Sequence, residues 1–138
     1  MLVGQVQEER KYGEPSFVAS LAHCGIDVHT ELSDTVLARL LRECAFTAFP
    51  SLQEGWGLPV QESLMCGKLC LVSDTLPVAE EIRNPALIRI APNDFYGWQE
   101  ALRTWLENEP MRRAFAARAS EYSPPGWDDI AAAIAAPD

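Results

Sequence analysis

The sequence predicts an α/β domain built on a mostly parallel sheet. Three observations carry that prediction. Short apolar runs alternate along the chain with amphipathic stretches of helical period, the order expected of repeated strand–helix units. The run Leu69–Val72 is apolar throughout, as in a strand covered by helices on both faces. Glycine or proline marks the changeovers, at Gly25, Pro50, Gly67 and Pro110, where glycine can close a helix and proline can open one.

Met1–Val3, closed by Gly4, reads as a short buried strand. Over 15–24, Phe17, Val18, Leu21, Ala22 and Cys24 recur at helical spacing until Gly25 stops the helix. Ile26–Val28 is the next strand. Ser33 is placed to cap a helix with Asp34 in its first turn. Val36, Leu37, Leu40, Leu41 and Cys44 form the apolar stripe of that helix, and Arg39 and Arg42 its other face. Ala45–Phe49 is a strand halted by Pro50. Ser51–Leu58 is a loop, and Pro59 suits the first position of a helix running to about Cys66. Leu69–Val72, a short helix over Val78–Arg83 and a strand over Ala86–Ile90 follow.

The last third is helical. Asp94 caps a helix bearing Phe95, Trp98, Leu102, Trp105 and Leu106, and Pro110 restarts a helix with Met111, Phe115 and Ala119. After a break at Ser123–Gly126, Trp127, Ile130, Ala131 and Ile134 mark a final helix. The stripe Phe95, Trp98 and Trp105 has helical spacing and reads as core.

The 138 residues fit a single domain over 1–138, with a core of ordinary size. The net charge of −9 disfavours a nucleic-acid partner. It leaves room for a small phosphorylated ligand held by backbone N–H groups. No apolar run approaches the roughly 18 residues of a membrane span, and the first residues show no secretory leader pattern. The expected location is cytoplasmic, with Cys24, Cys44, Cys66 and Cys70 as reduced thiols. His23 and His29 are not spaced as a ligand pair, and no metal is expected.

Chemistry concentrates in Phe49–Lys68, a strand, a loop with Gly55 and Gly57, and a helix start. Ligands of parallel α/β sheets bind beyond the C-terminal ends of the strands. A helix start there offers unpaired N–H groups and a partial positive charge to phosphate. Glu54 in the loop and Glu62 one turn into the helix are hydroxyl acceptors. A phosphate site between two such carboxylates describes a nucleotide-sugar pocket. On spacing alone, an ordinary glycine turn and a glutamate favouring the helix dipole account for the segment at least as well.

The stretch from Pro50-Ser51 through Glu54-Gly55-Trp56-Gly57-Leu58-Pro59 and Glu62 to Gly67-Lys68 resembles, without a gap, the Glu–seven residues–Glu motif of the GT-B retaining glycosyltransferases. That family includes glycogen and sucrose synthases and many bacterial mannosyl-, glucosyl- and galactosyltransferases. The resemblance implies a Rossmann-like three-layer domain, the C-terminal half of a GT-B fold. The implied activity is retaining transfer of a hexose from a UDP- or GDP-sugar to an acceptor hydroxyl, without other cofactors. It gives Glu54 the catalytic contact with the donor sugar, whose pocket Gly55 and Trp56 also line. Gly57 and Leu58 receive the pyrophosphate, Glu62 the ribose, and Val28, His29, Thr30 and Glu31 the base. Glu80 stands where the family has a glutamate after Ser73, with Ala79 in place of the usual proline.

Measured against the family, the chain is expected to begin at the second strand of that domain and to carry no acceptor-binding half. The first strand is central in the order 3-2-1-4-5-6, so the expectation is a companion. A second copy, or a partner chain that also brings the acceptor domain, would supply it, or a rearranged sheet would close the gap. Peripheral association with a membrane is compatible with this reading. The alternative is a non-catalytic nucleotide-sugar-binding module left from a truncated or split enzyme.

Overall fold

The computed structural model describes residues 2–3, 21, 23–126 and 128. The chain divides into two compact units, Met1–Arg39 and Leu40–Asp138.

In the first unit, β1 (Leu2–Val3) pairs in parallel with β2 (Val28–His29), Leu2 opposite Val28 and Val3 opposite His29. Gly25 closes the turn after Leu21 and His23 with φ 71°, and the N–H groups of Cys24 and Ile26 return to the Leu21 carbonyl. Helix α1 (Asp34–Glu43) begins in this unit. The Ser33 hydroxyl accepts from the Val36 N–H at 3.4 Å and its carbonyl from Leu37 at 2.9 Å, the cap read from the sequence.

The second unit is a three-layer sandwich. Strands β3 (Thr47–Phe49), β4 (Cys70–Ser73) and β5 (Leu87–Ile90) form a parallel sheet in that order. Thr47 lies opposite Cys70, which lies opposite Leu87. Among the described residues no ladder joins this sheet to β1–β2.

Successive side chains of a strand point to opposite faces, and the two cores follow that alternation. One face carries Phe49, Cys70, Val72 and Leu87. It packs on α2 (Leu58–Met65) and α3 (Pro77–Glu81) through Val60, Leu64, Val78 and Ala79. The other face carries Phe46, Leu69, Leu71, Ile88 and Ile90. It packs on α4 (Phe95–Glu107) and α5 (Glu109–Ala117) through Trp98, Trp105, Met111 and Phe115. The Trp105 and Phe115 rings meet edge to face at 5.2 Å, a favoured aromatic geometry. Leu71 is fully buried at the centre, and truncating such a side chain to alanine costs about 2–5 kcal/mol. Burial pushes the Cys70 thiol up from 9.0 to about 11, so it stays protonated at neutral pH. All four cysteines are free.

The parallel sheet and the element order match the sequence reading, and several details correct it. Helix α2 starts at Leu58, which puts Pro59 at its second position. Helix α3 ends at Glu81, two residues early. There Arg89, on the same face of β5, donates its guanidinium N–H groups to the Ala79 and Ile82 carbonyls. Phe95 is 80% exposed and does not belong to the core, and Leu102 and Leu106 are also exposed. With Trp98 as the buried line, Leu102, Phe95 and Leu106 lie about 40°, 60° and 80° round the helix to one side. Trp105 lies back near the line and is 6% exposed. Ala119 is buried, but in a 3₁₀ turn over Arg118–Glu121 that follows α5. The predicted final helix over 127–134, save Asp128, lies outside the described residues, as does 15–24 except Leu21, His23 and Cys24.

Candidate functional site

Because β3, β4 and β5 are parallel, the loops 50–57, 74–76 and 91–94 all leave the same edge of the sheet. The first carries the motif. Gly57 caps α2 with φ 104° and ψ 49°, a left-handed conformation costly for other residues. A Cβ there would lie 2.7 Å from Val78 Cγ1. The first turn of α3 therefore packs directly on the glycine, and the Val78 N–H donates to the Trp56 carbonyl at 3.3 Å. Val78 thus fixes the loop from both sides.

No side chain caps α2. The Val60 N–H turns back to the Gly57 carbonyl at 3.0 Å, and Pro59 has no N–H to offer. Among the described residues the Gly57 and Leu58 N–H groups meet no acceptor. Leu58 is 60% exposed whereas Gly57 is buried, so solvent reaches this start on the Leu58 side. Buried or ligand-facing N–H groups of this kind need a partner, and a helix start favours an anionic one.

The two carboxylates flank it in sequence. Glu54 is exposed, and its Oε1 accepts from the Ser51 hydroxyl at 3.0 Å. Glu62 is exposed one turn into α2, and its carboxylate makes no bond to another described residue. Gly55 is exposed, with no atom within 4 Å of where a Cβ would stand. Trp56 is 39% exposed and lines a cleft of about 350 Å³ together with Gln61 and Tyr122. Of the predicted site residues, that cleft includes Trp56 alone.

Val28, His29, Thr30 and Glu31 fall in the first unit, and Glu54 to Glu62 in the second. Val28 and His29 form β2 and are half-buried, while Thr30 and Glu31 follow it exposed. Among the described residues Glu31 is the non-glycine residue with positive φ, 55°, a conformation worth about 1–2 kcal/mol of strain. Such strain concentrates at turns and functional segments. Glu80 is exposed on α3. Among the described residues no group of three or more His, Cys, Asp or Glu is placed to hold a metal ion. No helix among them is long and apolar enough to cross a membrane.

Sequence reasoning missed several residues that shape the site. Ser51 lies within the motif but received no role, and it is the residue that holds Glu54. Gln61 donates from Nε2 to the Tyr122 hydroxyl at 2.6 Å, a contact across 61 positions that no local pattern signals. Asn84, 7% exposed, donates to the Arg118 carbonyl at 2.9 Å and accepts from the Ala86 N–H at 2.8 Å. It ties the loop after α3 to the 3₁₀ turn. The one available signal for Arg89 was a lone cation inside an apolar run.

A parallel sheet between two helical layers is an α/β architecture that matches a fragment of a GT-B fold. Residues 5–122 match the family model described as glycosyl transferases group 1, and the chain belongs to that family. Among solved structures it is similar to WaaG, a glycosyltransferase involved in lipopolysaccharide biosynthesis. The two share 27% identity with a TM-score of 0.64, over 87% of this chain and 32% of that one. The chain thus spans about a third of the length of the solved enzyme. No curated protein matches it.

Proposed function

We propose that the chain is the donor-binding domain of a retaining hexosyltransferase that uses a UDP- or GDP-sugar. The observation that carries this reading is the start of α2, with two N–H groups that meet no acceptor among the described residues, no side-chain cap, and an exposed carboxylate on either side in sequence. In this reading the diphosphate docks on the Gly57 and Leu58 N–H groups. The helix start then favours the charge that develops on the departing nucleoside diphosphate. Glu54, oriented through Ser51, accepts from hydroxyls of the hexose and positions it without attacking it. Gly55 and Trp56 line the same sugar. Trp56 also lines the cleft with Gln61 and Tyr122. Glu62 accepts from the ribose hydroxyls, and Val28, His29, Thr30 and Glu31 select the base. The scheme gives no part to a metal or other cofactor.

Transfer itself is proposed of a complete enzyme in which an acceptor-binding domain joins this one. Titrating the chain calorimetrically with UDP- and GDP-sugars tests the donor site, and binding of neither class would sink the reading. Glu54→Gln tests catalysis in the complete enzyme. Its expected loss is about 10²-fold or more in turnover, the scale of a removed transition-state contact, and unchanged turnover would remove Glu54 from the mechanism. Light scattering tests the companion, because a clean monomer at micromolar concentration excludes a second copy as its source.

A further inference from the structure

The cleft lined by Trp56 is bounded by the motif loop, α2, the residues after α3 and the chain after the 3₁₀ turn. Its volume of about 350 Å³ lies in the range of small-ligand sites. Two features distinguish it from a dent between helices.

The first is a pair of aromatic residues in its walls, Trp56 and Tyr122. Trp56 keeps 39% of its surface exposed while the Val78 N–H holds its carbonyl at 3.3 Å. Tyr122 packs against the core, and the Gln61 amide fixes its hydroxyl at 2.6 Å. The second is a pair of polar groups with opposite hydrogen-bonding sense. Arg83 and Glu81 both line the cleft, both are exposed, and neither bonds to another described residue. A guanidinium only donates and a carboxylate only accepts. Asn84 and Glu121 also line it, but their polar groups are engaged, with Arg118 and Ala86 in one case and with Arg118 in the other.

A sugar ring asks for this combination. Its C–H face lies against a flat aromatic surface, and its rim of hydroxyls both donates and accepts. A phosphate group is disfavoured here, because Glu81 and Glu121 stand in the walls of a chain with net charge −9.

We propose that this cleft binds a saccharide, with Trp56 and Tyr122 against the ring and Arg83 and Glu81 on its hydroxyls. The site needs only the cleft and does not depend on the nucleotide-sugar reading.

Saturation-transfer NMR on the full chain decides it, with methyl α-glucoside, methyl α-galactoside and methyl α-mannoside as probes. Each is recorded with and without excess UDP or GDP. At least one glycoside is expected to receive saturation and to keep it when nucleotide is present. Its affinity should fall about tenfold in Arg83→Ala, the scale of a lost hydrogen bond to a charged group, and should fall also in Tyr122→Ala. Arg83 bonds to nothing else described, so its variant tests the cleft even where Tyr122→Ala disturbs the core. No transfer to any of the three, displacement by UDP or GDP, or wild-type affinity in Arg83→Ala overturns the proposal. Loss of nucleotide binding with glycoside binding intact would count against the donor site alone.

Discussion

Helices α2 and α4 both begin at the C-terminal edge of the same sheet, and their starts are finished in opposite ways. At α4 the Asp94 carboxylate accepts from the Gly97 N–H at 2.9 Å, so the chain supplies its own anion. Helix α5 repeats the device, with the Asn108 amide oxygen accepting from Met111 at 3.1 Å. At α2 the cap is Gly57, which has no side chain, and two N–H groups are left open. Side-chain caps typically contribute about 1 kcal/mol, so an uncapped start beside two exposed carboxylates forgoes stability. A helix start without a side-chain cap, exposed at Leu58, leaves room for an external anion. On the proposed function, the diphosphate is to α2 what Asp94 is to α4.

Gly57→Ala attacks the open start most severely. The new Cβ would sit 2.7 Å from Val78 Cγ1, at φ 104°. Left-handed strain and overpacking together cost about 2–5 kcal/mol, a large share of the stability of a small domain. The urea midpoint should fall accordingly and nucleotide binding should be lost. Adding Val78→Ala relieves the contact without relieving φ, so it should restore part of the midpoint. Full restoration would mean that packing alone demands the glycine.

Glu62→Gln leaves the helix intact and removes one charge from a side chain that has no partner within the described residues. It should weaken UDP or GDP binding about tenfold, the scale of one charged hydrogen bond, with no measurable change in the urea midpoint. Equal affinity in the variant would detach Glu62 from the ribose and leave the open N–H groups as the sole feature of the site.

The contrast between the two starts was partly legible in the sequence. Asp94 and Ser33 announce themselves as caps because a short polar acceptor directly precedes a helical stripe. Gly57 also stands out, since glycine in a turn before a helix signals unusual backbone. The reason for the glycine was not legible, because Val78 reaches it from 21 positions away and contacts of that span leave no local period. The same limit hid the hold of Gln61 on Tyr122 and of Arg89 on the end of α3. Periodicity found the Trp98–Trp105 line. It placed Phe95 in the core because a spacing of three and four residues does not show where on the arc the buried line runs. The roles of Glu54 and Glu62 came from resemblance to a motif, and spacing alone did not distinguish them from surface glutamates.

The smallest effect should come from the closed start, and it carries a reversal of sign. Asp94→Ala opens α4 and should cost about 1 kcal/mol without changing nucleotide affinity. Gly97 makes that cap geometrically tight, because a Cβ on it would lie 2.3 Å from Asp94 Oδ2. Gly97→Ala in the wild-type background should therefore displace the carboxylate and lower the midpoint. In the Asp94→Ala background nothing is left to displace, and alanine's higher helix propensity should stabilise by up to about 1 kcal/mol. The four midpoints form a double-mutant cycle whose coupling is the energy of the cap. If Gly97→Ala has the same effect in both backgrounds, the Asp94 carboxylate is not closing α4, and the difference between the two helix starts disappears.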